Sequence, residues 1–114
     1  MARAAINNAD VVRTGTGVAL PSETTGDPVN NHFVNNDGNV ILIARNSNGA
    51  STARTVTVRL PGAVDGQTIS PRTYSIPAGA TRVIGPFPTG SYGTTMQVDV
   101  DNAELLLYTL RIPR

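Results

Sequence analysis

Short runs of β-type residues recur along this chain, and turn residues close each run within roughly eight to twelve residues. The clearest run is residues 53–60, where Val56 and Val58 alternate with polar side chains. A period of two places one strand face on a core and the other in water. Residues 102–110 also allow a short helix, but their Tyr-Thr-Leu ending favours a strand. The pattern predicts an all-β fold, either an antiparallel β-sandwich or a small β-barrel of about seven or eight strands.

Other segments refine this prediction. Residues 40–46 are apolar on both faces, which is typical of a covered strand, and together with residues 53–60 they predict a β-hairpin. Pro71 cannot donate to a strand ladder, so the strand over residues 68–76 should be bulged or at a sheet edge. Residues 11–20 predict a weak first strand that a Thr-Gly-Thr-Gly stretch interrupts.

The length of 114 residues fits one domain. Residues 1–9 are small and polar without a clear period and are expected to form an N-terminal arm, followed by a single β domain over residues 10–114. The absence of cysteine excludes disulfides and thiolate metal sites. All nine cations are arginine, and the net charge of +1 gives no electrostatic basis for nucleic-acid binding.

The N-terminus lacks the apolar stretch of a secretory signal, and no apolar run approaches the roughly 20 residues that span a bilayer. We therefore expect synthesis in the cytoplasm, no classical export and no membrane partner.

The residue types that carry catalysis are sparse. His32 has no second histidine or carboxylate pair at metal-ligand spacing, so we expect it at a loop edge, bonded to backbone or water. Asp99 and Asp101 face the same side of a strand, where they could hold Ca²⁺ or act as an acid–base pair, but opposing arginines on a neighbouring strand are the favoured interpretation. Gly15 and Gly17 lack the rest of a dinucleotide-binding motif. We predict no enzyme, no metal and no cofactor.

The arginines allow two interpretations. Arg54 and Arg59 flank a half-apolar strand, and arginine is enriched at protein interfaces because its planar fork pairs with carboxylates and carbonyls. A coding bias that replaces lysine throughout explains the same composition equally well.

The sharpest motif is Pro-Ala-Gly-Ala-Thr-Arg-Val-Ile-Gly-Pro-Phe at residues 77–87, which follows an apolar strand and a Thr-Val-Thr-Val strand. Over roughly residues 38–114 the chain resembles small all-β structural proteins of bacteriophages, especially phages of actinobacteria. Some members of that group are capsid decoration (cement) proteins. The resemblance implies a virion component without catalytic residues.

The expected function is therefore a decoration protein on the capsid exterior, which binds the major capsid protein lattice and stabilises the head. Self-association is also expected, with a homotrimer as one arrangement. The alternatives are a head–tail connector or tail protein, and a small carbohydrate-binding β module. The residues predicted to contact the capsid or another protein are Arg3, Ile6, Val11, Arg13, Asp27, Asn31, Arg54 and Arg59.

Overall fold

The computed structural model describes residues 3–61 and 63–112, and its regular structure is almost entirely β-strand. The described part contains one short helix, α1 (Thr89–Tyr92). Its strands in chain order are β1 (Ala4–Ala5), β2 (Asn8–Asp10), β3 (Thr24–Thr25), β4 (His32–Asn35), β5 (Val40–Asn46), β6 (Arg54–Val58), β7 (Ala63–Val64), β8 (Gln67–Thr68), β9 (Arg72–Ile76), β10 (Thr81–Ile84), β11 (Thr95–Val100) and β12 (Leu105–Arg111). The predicted arm and domain extend beyond the described residues at positions 1–2 and 113–114.

The strands form two five-stranded sheets, which confirms the predicted all-β, sandwich-like fold. One sheet has the order β1-β4-β11-β6-β9, and the other has the order β10-β5-β12-β2, with β3 also paired to β12. The β7–β8 ribbon forms a separate two-stranded sheet. Most pairs are antiparallel as predicted, but β1–β4 and β2–β12 are parallel, so both large sheets are mixed.

The predicted hairpin over residues 40–60 is wrong. β5 pairs with β10 and β12, whereas β6 pairs with β9 and β11 in the other sheet. The turn between them crosses the sandwich because the buried Asn46 side chain holds it there. Asn46 Nδ2 donates to Thr52 O at 3.0 Å and to Ile76 O at 2.8 Å. These two bonds satisfy the buried amide and link the end of β5 to β9 in the other sheet.

The segment predicted as an arm belongs to the sheets over residues 4–10, which we call the N-terminal strap. β1 extends one sheet beside β4, and β2 extends the other beside β12. Ile6 lies between the two strands, is buried in the core, and donates its N–H to Phe33 O at 3.1 Å. Burying this side chain and pairing the flanking backbone outweigh the entropy of a free arm. The strap closes one lateral side of the sandwich.

Residues 11–20 do not form the predicted first strand but an exposed loop. Gly15 and Gly17 have φ values of +62° and +82°, which lie in the left-handed region. Gly17 N–H donates to Thr14 O at 3.2 Å, so these residues make a turn instead of an interrupted strand.

Two other predictions are confirmed. β12 is a strand and not a helix, and β9, which follows Pro71, is an edge strand of its sheet. The core lies between the sheets and includes Phe87 and Tyr92, whose rings pack edge to face with centroids 5.1 Å apart. Asn36 Nδ2 holds this region by donating to Phe87 O at 3.0 Å.

Candidate functional site

Arg3 and Arg59, both predicted as interface residues, bind the two carboxylate oxygens of Asp99. Arg3 Nη1 contacts Oδ1, and Arg59 Nε lies 2.6 Å from Oδ2. Asp99 exposes only 14% of its side chain, so two guanidinium groups enclose it. This arrangement confirms that Asp99 faces an arginine from a neighbouring strand, because Arg59 follows β6 beside β11. Both arginines therefore have a role in holding the fold, and Arg3 fixes the beginning of the strap.

Arg54 is also engaged within the chain. Its Nε and Nη2 donate to Glu104 Oε1 at 2.9 and 2.6 Å, and Asn48 Nδ2 donates to the same carboxylate at 2.9 and 3.1 Å. The Asn48 amide and then the Arg54 guanidinium hold the pKa of Glu104 below its usual value. This cluster attaches the turn between β5 and β6 to the beginning of β12.

Asp27 and Asn31 organise the loop before β4. Asp27 Oδ1 accepts the N–H groups of Val29 and Asn30 at 3.0 and 3.1 Å. Hydrogen bonds from Asn30, and then the one from Val29, lower the pKa of Asp27. Asn31 has a φ of +62°, and its Oδ1 accepts the Val100 N–H at 3.1 Å. Asparagine tolerates this conformation better than most residues. The side chains of Asp27 and Asn31 therefore act by fixing the backbone of the loop before β4.

His32 is buried at the beginning of β4, which corrects its predicted place at a loop edge. The prediction of backbone partners is confirmed: Nε2 lies 2.9 Å from the Asp27 N–H, and Nδ1 lies 3.2 Å from Ala4 O. With Nε2 accepting, the proton belongs on Nδ1, which donates to Ala4. Burial lowers the pKa of His32. The imidazole thus joins the strap to the loop before β4.

The remaining predicted residues lie elsewhere. Ile6 is in the core, whereas Val11 and Arg13 belong to the exposed loop over residues 11–20, which we call the apolar loop. Its first residue is anchored because Val11 N–H donates to Arg111 O at 2.8 Å.

An ion pair holds the chain three residues beyond the apolar loop, at Glu23. Arg45 Nε and Nη2 donate to the two oxygens of Glu23 at 2.8 and 2.9 Å, a bidentate geometry. The Arg45 guanidinium lowers the pKa of Glu23. The chain is therefore held at Val11 and at Glu23, on either side of the exposed residues of the loop.

The apolar loop carries large side chains that the chain does not cover. Val12, Val18 and Leu20 are 45%, 44% and 65% exposed, and Ile112 is exposed at the neighbouring end of β12. Several large apolar side chains exposed on one loop indicate an interaction surface, because leaving them in water is unfavourable. The sequence pattern did not reveal these residues as an exposed loop, because valines at this spacing are typical of a strand. The glycines between them were the signal for a loop.

Asp101 does not join Asp99 in a site, because it is exposed at the bend that follows β11. Within residues 3–61 and 63–112, no three His, Asp or Glu side chains are grouped so that they could hold a metal ion. The same residues include no helix that is long and apolar enough to cross a membrane.

Comparisons with protein-family models, with curated proteins and with solved structures found no match for this chain.

Proposed function

We propose that this protein is a bacteriophage virion structural protein, a capsid decoration protein that binds the outer surface of the major capsid protein lattice through its apolar loop. The observation that carries the proposal is the exposure of Val12, Val18 and Leu20 on one loop, which hydrogen bonds hold at Val11 and, beyond the loop, at Glu23. The resemblance of residues 38–114 to phage structural proteins supports the choice of a capsid as the partner.

A small contact such as the apolar loop suits a partner that presents the same binding surface many times. Each buried valine or leucine contributes about 1.5–3 kcal/mol at most, so a single loop gives a weak contact. A lattice presents the same contact many times, and a self-associated protein would sum these contacts by avidity. Anchoring by Val11 and Glu23 reduces the entropy lost when the loop is ordered on the capsid.

The stoichiometry of the purified virion tests the class of protein. Quantitative mass spectrometry of particles should find the protein at a copy number comparable with the major capsid protein. A ring of roughly six to twelve copies would indicate the alternative, a head–tail connector or tail protein. Absence from the mature particle would overturn the virion proposal as a whole.

The binding surface is tested on particles that lack the protein. Purified protein carrying Val12→Ser, Val18→Ser and Leu20→Ser should occupy the capsid at least about tenfold less than wild type, because three apolar contacts are lost. Val29→Ser is the control, since Val29 is 78% exposed but lies outside the loop. If wild type, the triple serine variant and Val29→Ser occupy the capsid equally, the apolar loop is not the surface that binds the capsid.

A further inference from the structure

The lateral side of the sandwich opposite the strap is open. β9 is the last strand of one sheet and β10 is the last strand of the other, and residues 77–80 join them. Neither strand has a second neighbour among the described residues. A groove of about 550 Å³ runs between residues 73–76 of β9 and residues 82–85 beside it.

The floor of the groove is apolar, Arg82 lies on its wall, and Arg72 lies next to the groove at the beginning of β9. Ile76 and Ile84 are buried, and alternation along each strand puts Tyr74 and Arg72 on the face of Ile76, and Arg82 on the face of Ile84. Arg72 and Arg82 are exposed, and neither forms an ion pair with any described carboxylate. Among the described residues that line the groove, Arg82 alone is charged.

The β10 edge also offers backbone hydrogen-bonding groups. Asn46 N–H donates to Ala80 O at 3.0 Å, so the alternate residues Arg82 and Ile84 also direct their peptide groups towards β5. The peptide groups of Thr81 and Val83 therefore face away from the sheet, where an added strand would meet them. The Val83 side chain is exposed beside them.

We propose that this groove binds an extended acidic segment of a partner protein, which adds as a strand along β10 and places carboxylates on Arg82 and Arg72. Strand addition satisfies the outward peptide groups of Thr81 and Val83, and the guanidinium groups select acidic side chains. Pairing of β10 with a second copy is disfavoured, because it would bring two Arg82 cations onto the same short ribbon. The inference does not depend on the capsid assignment, since it concerns a different edge of the sandwich.

The test uses the full-length protein, isotope-labelled for amide NMR, and two matched peptides. The probe is acetyl-Thr-Glu-Val-Glu-Val-Glu-Thr-amide, and its partner carries lysine in place of each glutamate. The glutamate peptide should shift the amides of residues 73–76 and 81–84 and bind about tenfold more tightly than the lysine peptide. Arg82→Gln combined with Arg72→Gln should remove most of that preference. Arg13→Gln, an exposed arginine on the apolar loop, should leave it unchanged.

No amide shift at the groove with millimolar glutamate peptide would overturn the proposal, and so would equal binding of the two peptides. A peptide with N-methyl groups at alternate positions should lose binding, so retained binding would exclude strand addition. Concentration-dependent association of the protein alone, with broadening confined to the amides of residues 81–84, would make a second copy the occupant and reject the acidic partner. Because all of these measurements use isolated protein, their failure is separate from failure of the virion experiments.

Discussion

Replacing Gly26 by alanine tests how closely the segment after β3 lies on the β11–β12 turn. Gly26 is buried, and its N–H donates to Leu105 O at 2.8 Å. A Cβ atom at this position would lie 2.8 Å from both Asn102 O and Leu105 O, and 3.2 Å from a Val100 methyl group. Two of these neighbours are backbone carbonyls, which cannot rotate away as a flexible side chain can.

The expected cost follows from that geometry. Overpacking a methyl group costs about 1–3 kcal/mol, and weakening the Gly26–Leu105 hydrogen bond adds about 1 kcal/mol. We therefore expect Gly26→Ala to lower the free energy of unfolding by about 3 kcal/mol. For a domain of this size that corresponds to a fall in Tm of about 12 °C, at roughly 4 °C per kcal/mol.

Urea unfolding and thermal melting followed by circular dichroism measure the effect. Gly49→Ala is the matched control, because its Cβ would meet nothing within 4 Å and its backbone needs no left-handed conformation. The control should stay within about 0.5 kcal/mol of wild type. If the two variants melt together, the close approach of Gly26 to the β11–β12 turn is not a feature of the folded protein, and the reasoning is refuted.

Three further predictions concern charge. Burial lowers the pKa of His32 below its usual value of 6.5; the charge of Arg3 acts in the same direction and that of Asp27 in the opposite one. Below pH 6.5 the unfolded chain therefore binds a proton at His32 more readily than the folded chain does. The contribution of this group to the unfolding free energy should be constant above pH 6.5, and the unfolding free energy should fall as the pH drops below that value. A His32→Gln variant that keeps the same decline would contradict this assignment. Asp99→Asn should cost about 1–2 kcal/mol in urea unfolding, because it leaves two neighbouring guanidinium groups without their carboxylate. Arg59→Gln should cost less than about 1 kcal/mol, because Arg59 is half exposed; equal costs would show that Arg3 contributes nothing.

Local chemistry accounts for the parts of the fold that could be predicted. The period-two alternation at residues 54–58 and the apolar stretch at residues 105–111 gave strands where they were expected. Pro71 predicted that the strand beside it would be bulged or at a sheet edge, because proline has no N–H to donate, and β9 lies at an edge. The candidate site was less accessible to this reasoning. Val11 and Arg13 were predicted as interface residues. The exposed valines near them could not be recognised, because valine is equally typical of a strand.

The sequence by itself determined that the chain is all-β and where most of its longer strands lie, because period and turn chemistry act between neighbouring residues. Only the tertiary structure decided which sheet each strand joins, that residues 4–10 close the sandwich, and that Arg3 binds Asp99. The last contact spans 96 positions. No local pattern encodes such a pairing, because its energy exists only after the chain has returned on itself and the loop entropy has been overcome. The tertiary structure likewise decided that β9 and β10 are edge strands, because an edge exists only after the order of strands in each sheet is set.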